Sequence, residues 1–332
     1  MRQYRMVGLA FAVLVWPITA QSGETDQYLV WGVTLEDSAP AMNRYLNDEI
    51  ADYLKSLHND VPPSSDEVTK GTYRHLFRGL HASKLRNFLQ HSEDIDRYPP
   101  KTVSFWQYQN MSIYRGRSFP YILPMSRTIR VGEVYCGIDK FAHFFGFGRH
   151  SYRIYRNARE DGLDEDAAIG RVVRISVRWE NTRVGRIVDG IFSHADIEAS
   201  FQGFLLARDL CAGDDPYVKL IDGYWTLVRP IDIRDYVTPD FDESYNPSHY
   251  WLLRKRFVLP LLEEEYAHRL SEPAVQKRFA RYRQYEPSES VRLIREHFRA
   301  NGGDVQARQY RTAFGVPPRT TSARPSTSAR AN

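Results

Sequence analysis

Apolar residues recur at helical spacing along much of the chain. Met42, Tyr45, Leu46, Ile50, Tyr53, Leu54 and Leu57 form one such stripe. Ser38 stands where a cap belongs and Pro40 falls in the first turn, so the segment predicts an amphipathic helix with Asn43, Asn47 and Asp48 on its solvated face. Similar spacing predicts helices over 72–90, 139–158, 164–188, 196–210 and 247–270, with two shorter ones before the C-terminal tail. Residues 28–35, 102–114 and 128–135 are rich in aromatic or β-branched side chains and predict short strands. Asp222-Gly223 separates 217–221 from 224–228 and tolerates positive φ, which predicts a hairpin. The expected fold class is mainly α: a single helical domain with a small β-hairpin element.

The ends differ from this body. Residues 1–5 are basic, 6–16 are apolar, and 17–20 end in the small residue Ala20, the pattern of a signal peptide over 1–20. The apolar run is shorter than the roughly 20 residues a membrane span needs, and no later run reaches that length. Residues 316–332 are mostly Pro, Ser, Thr and Arg, a composition that cannot bury enough surface to offset its ordering entropy, so a disordered tail is expected. Between them, 21–315 contains no linker or repeat and reads as one globular domain. Taking Arg2 and Arg5 away with the signal, and Arg319, Arg324 and Arg330 with the tail, lowers the formal charge from +4 to −1. That leaves no electrostatic footprint for nucleic acid. An exported location also makes a disulfide between the only two cysteines, Cys136 and Cys211, the expected state.

Candidate chemistry concentrates in GIDKFAHFFGFGRH. Asp139 and His143 lie four residues apart and share a helix face, among Phe141, Phe144, Phe145 and Phe147. A carboxylate and an imidazole in apolar surroundings must pair with each other or with something else. An Asp that orients a His can serve general base catalysis, and His with carboxylate can also ligate metal. In FSHADIEASFQGF, Ser193 and Asp196 have capping-box spacing, while Ala199 and Gly203 form a small-residue stripe that permits close helix approach. Glu180 lies on the intervening helix, with Arg183 as its i+3 partner. The oxygen-rich loop 238–246 could hold calcium, but it lacks the central glycine and the terminal glutamate of the twelve-residue loop, and reads as a connection with Asn246 capping the next helix. Arg254-Lys255-Arg256 and Glu263-Glu264-Glu265 read as solvated helix faces. No phosphate loop, nucleophile elbow, H-E-x-x-H or cysteine cluster occurs, so no cofactor is indicated.

The series Asp139-Lys140-x-x-His143-Phe144, then Glu180, then Asp196-x-x-Ala199-Ser200-x-x-Gly203 resembles the motifs of VanZ-like and YfiM-like bacterial envelope proteins. The second motif there looks like D-x-x-A-N-x-x-G, so Ser200 replaces the family's Asn. Arg153, Arg156, Arg171, Arg174 and Arg178 prevent these helices from spanning a bilayer. The resemblance therefore implies the soluble, envelope-facing branch, which brings an envelope setting and no activity. Two functions follow. In one, Asp139, His143, Glu180 and Asp196 form a buried network with a structural or interaction role. In the other, a hydrolase-like enzyme uses His143 as base with Asp139 and Glu180, with or without metal. A Cys136–Cys211 bridge would set 139–158 and 196–210 antiparallel, placing Asp196 near His150 and Arg153 and away from His143.

Overall fold

The computed structural model describes residues 23–300 apart from 58–60, 78–82, 116–123, 183–184 and 188–189. The expected signal over 1–20, the tail over 316–332 and Arg183 lie outside the described residues. The segment expected as a strand over 28–35 is instead a 3-10 turn, Gln27–Val30, whose N-cap Asp26 accepts a hydrogen bond from the Tyr28 N–H. Its aromatic residues reach the core by that turn, with Tyr28 and Trp31 both 2% exposed.

Helix α1 (Ala39–Lys55) buries Met42, Leu46, Ile50 and Leu54 as the spacing predicts, but Ser38 makes no side-chain capping bond. Asn43 and Asn47 are not merely solvated. Their amides exchange hydrogen bonds with Ile231, Asp232 and Ile233, clamping a crossing segment onto the helix. The region expected as one helix over 72–90 is shared by the end of α2 (Ser65–Leu76) and by α3 (Lys84–His91), each with its own serine N-cap. Residues expected as a strand over 102–114 form helix α4 (Phe105–Met111), because Ser104 and Gln107 make a reciprocal capping box. Strands β1 (Thr128–Val131) and β2 (Val134–Gly137) pair antiparallel, with Thr128 opposite Gly137.

The centre of the molecule is helical. Short α5 (Lys140–Ala142) passes through a π-helical turn, His143–Phe147, into α6 (Gly148–Glu160), and α7 (Glu165–Thr182) follows. After strand β3 (Ile191–Phe192) comes α8 (His194–Leu210), buried on nearly every face between α6, α7 and the π turn. The expected hairpin is present as β4 (Val218–Ile221) and β5 (Tyr224–Leu227), with Asp222 and Gly223 at φ 50° and 85°. Strand β6 (His249–Tyr250) pairs with β3, so the helix expected from 247 starts only at α9 (Leu252–Leu261) and continues through a second π turn. Helices α10 (Pro273–Tyr282) and α11 (Glu289–Ala300) close the described chain. The fold is mainly α with three two-stranded antiparallel sheets among the described residues. No described helix is long and apolar enough to cross a membrane.

The expected disulfide is absent: Cys136 and Cys211 are both free thiols. Cys136 lies in β2 beside Asp139 and Lys140, near the N-terminal end of α8, whereas Cys211 caps the C-terminal end of α8 beside Thr69. The fifteen residues from Asp196 to Cys211 set the two ends about 22 Å apart, far beyond disulfide reach. Without the bridge, α6 and α8 need not be antiparallel. They run in the same general direction, and the positions expected to be separated come together.

Candidate functional site

Four sequence-distant segments converge on the ammonium group of Lys140, which is completely buried. Its Nζ lies 2.7 Å from Asp139 Oδ2, 2.6 Å from Asp196 Oδ1 and 2.7 Å from Glu243 Oε1. The fourth segment is the start of the described chain, where the Thr25 hydroxyl donates to the other oxygen of Asp139. Gly137 makes this possible, since a Cβ there would sit 2.1 Å from Asp139 Oδ1 and 2.3 Å from Thr25 Oγ1. Ser193 supports the group from α8. Its hydroxyl donates to Glu243 Oε1 at 2.7 Å and accepts from the Asp196 N–H at 3.1 Å.

His143 belongs to the same assembly, though not as the partner of Asp139. The two Asp139 oxygens are engaged by Thr25 and Lys140, and Asp196 Oδ2 stands 3.4 Å from His143 Nε2. The imidazole stacks on Phe147 with centroids 5.1 Å apart. Glu180 closes the far side: its Oε1 accepts from the Ser193 N–H at 3.0 Å, taking the place a capping box would have given Asp196. The Asp196 side chain is thereby released to face Lys140 and His143. Ser200 donates back to the Asp196 carbonyl at 2.8 Å, so a hydroxyl confined to its own helix stands where the resemblance expects an amide.

Burial and charge set the protonation of the group. Burial acts against the Lys140 charge, but the three carboxylates outweigh it and hold the pKa well above the ordinary lysine value. Burial also pushes Asp196 up, and is outweighed by His143, Lys140 and hydrogen bonds, leaving the carboxyl below its usual range. Glu243 goes the other way, because burial and the neighbouring Asp196 and Asp139 charges exceed the pull of Lys140. Burial, helped by Lys140, lowers His143 despite Asp196, so its imidazole is neutral at neutral pH. Three carboxylates around one ammonium leave an acid surplus, which the raised Glu243 pKa relieves by favouring a proton there.

Beside the imidazole lies a pocket of about 20 Å³, lined by His143, Phe147, Ser176, Trp179, Glu180, Asp196, Ile197 and Ser200. That is room for about one water molecule among polar partners, and too little for an organic substrate. Among the described residues, no group of three or more His, Cys, Asp or Glu side chains is placed to hold a metal ion. Comparisons with protein-family models, curated proteins and solved structures give no match.

His143, Glu180 and Asp196 thus line the small pocket, while Asp139 lies at Lys140 with Glu243, Ser193 and Thr25. Of these partners, Ser193 is the helix cap expected from sequence, whereas Lys140 and Glu243 are buried polar residues that the sequence reading did not place in the site. Lys140, between Ile138 and Phe141, is as anomalous in an apolar run as the acid before it. Glu243 was read as loop, yet it sits between Phe241 and Tyr245, both buried. In that loop, Asp242 accepts from Ser244 and Tyr282 and Glu243 faces Lys140, so these acids turn inward. Asn246 is buried and precedes strand β6, so it caps no helix.

Proposed function

We propose that this chain is an exported envelope protein in which the Lys140 cluster is a structural network that fixes how the central helices and the chain start meet. The observation that carries the reading is the buried ammonium held by carboxylates from α8, the segment before α5 and the 243 loop, with a described pocket of only about 20 Å³ beside it. Buried ionic groups of this kind can specify one packing arrangement, since every alternative leaves a charge without a partner. The signal-like N-terminus and the VanZ-like and YfiM-like resemblance support the envelope setting. The residues of that resemblance also have a shared physical role here: Asp196 meets Lys140 and His143, while Gly203 admits the π turn.

A second reading, a hydrolase-like enzyme, draws on one observation: space for one water between a neutral imidazole and the carboxylates of Glu180 and Asp196. One pair of variants separates the two. Lys140→Met leaves three carboxylates buried without their cation and should cost about 3–5 kcal/mol in denaturant unfolding. His143→Ala should lower the melting temperature, and the native protein should show no His143-dependent hydrolysis of p-nitrophenyl acetate or p-nitrophenyl phosphate. Hydrolysis abolished in His143→Ala at an unchanged melting temperature would overturn the structural reading in favour of the enzyme.

A further inference from the structure

A pair of histidines lies just outside the Lys140 cluster. His194, the first residue of α8, and His249, in β6, aim their Nε2 atoms at each other across 2.6 Å, with ring centroids 4.6 Å apart. Both are half-buried, so solvent reaches them. Their positions are fixed by the backbone, because Phe192 pairs with His249 in the β3–β6 ladder and Ser193 caps α8. The Phe192 ring packs against both imidazoles, at 5.2 Å from His194 and 5.9 Å from His249.

We propose that His194 and His249 form a two-histidine site for a divalent transition-metal ion of the zinc class. Imidazole nitrogens suit zinc, copper and nickel, whereas magnesium and calcium prefer oxygen. At zinc–nitrogen distances of about 2.0–2.1 Å, two imidazoles on one tetrahedral ion have nitrogens about 3.4 Å apart, so the present gap widens by less than 1 Å. Half-exposed rings supply that by small side-chain rotations. One imidazole now donates its Nε2 proton to the other. On binding, that ring takes its other tautomer, with the proton on Nδ1, and both Nε2 lone pairs face the ion. Among the described residues no third His, Cys, Asp or Glu joins the pair, so the site rests on these two imidazoles. The positive end of α8 opposes a cation here, and Asp196 and Glu180, which close the same helix end from inside, offset it.

The test is calorimetric titration of the purified mature chain with zinc chloride, alongside His194→Ala, His249→Ala and, as a control, His150→Ala. One equivalent should bind to the native chain and to His150→Ala, with affinity at least about ten-fold weaker in the other two variants. Diethyl pyrocarbonate footprinting of the native chain gives a measurement that needs no variant: zinc should protect His194 and His249 and leave His150 unprotected. Absence of binding to the native chain, binding unchanged in both single variants, or modification of His194 and His249 unaffected by zinc would each overturn the site.

Discussion

Burial turns Asp26 into an acid that ionises near neutrality. Removal from water raises its pKa to about 7, against hydrogen bonds from backbone N–H groups including Ile113 and Tyr28, and the Glu243 charge adds to the rise. The folded state therefore binds a proton that the unfolded chain releases near its ordinary value of 3.8. The resulting stability is present below that value and is lost as pH climbs through about 7, amounting to at most about 4 kcal/mol. Asp26→Asn should flatten this fall, measured as denaturant midpoints between pH 4 and pH 7.5. An unchanged slope in the variant would place the titration elsewhere. Asp196 works in the opposite direction, since its depressed pKa gives stability that disappears as pH drops through the acid range. At this scale the sequence was legible at Asp139 and His143, polar residues set among apolar and aromatic neighbours. It was not legible for Thr25 or Glu243, because only the tertiary fold brings them to Lys140.

The helix crossing at the π turn is the element on which the cluster depends. An added Cβ at Gly203 would lie 1.9 Å from the Phe144 carbonyl oxygen, and one at Gly148 would lie 2.8 Å from the Gly203 carbonyl carbon. Both obstacles are backbone, which cannot swing aside as a side chain can. The Tyr73 hydroxyl also donates to the Gly203 carbonyl, tying α2 to the same point. Gly203→Ala should force the π turn and α8 apart and cost at least about 1–3 kcal/mol in denaturant unfolding. A variant as stable as the native chain would mean that the helices do not approach this closely. The small-residue stripe, with the Ser193 cap, made α8 readable from sequence. The segments 28–35 and 102–114 were misread because their aromatic residues suit a strand and a buried turn equally; in the latter, the Ser104–Gln107 capping signal outweighs the alternation.

Across the whole molecule, the start and end of the described chain lock onto each other. Arg269 donates to the Trp31 carbonyl at 2.6 Å and Arg278 to the Val30 carbonyl at 2.8 Å, so both C-terminal arginines hold the first turn. The Tyr282 hydroxyl accepts from the Tyr135 N–H at 2.9 Å and donates to Asp242 at 3.2 Å, joining α10 to β2 and to the loop that carries Glu243. Ser288 and Ser290, at the entry to α11, donate to Glu198 of α8. Phe279 fills the seam, with ring centroids 6.0 Å from Trp31 and 5.1 Å from Tyr245. None of this closure could be read from periodicity, which finds the faces of α10 and α11 but not what they cover. Phe279→Ala should cost about 3–5 kcal/mol, because the hole lies between parts of the chain that cannot collapse independently. The loss should appear as a single transition, with tryptophan fluorescence and far-ultraviolet circular dichroism shifting together, since the seam and the Lys140 cluster share the 242–243 loop. Separate transitions by the two probes would show that α10 and α11 detach alone, leaving the central helices to hold the cluster unaided.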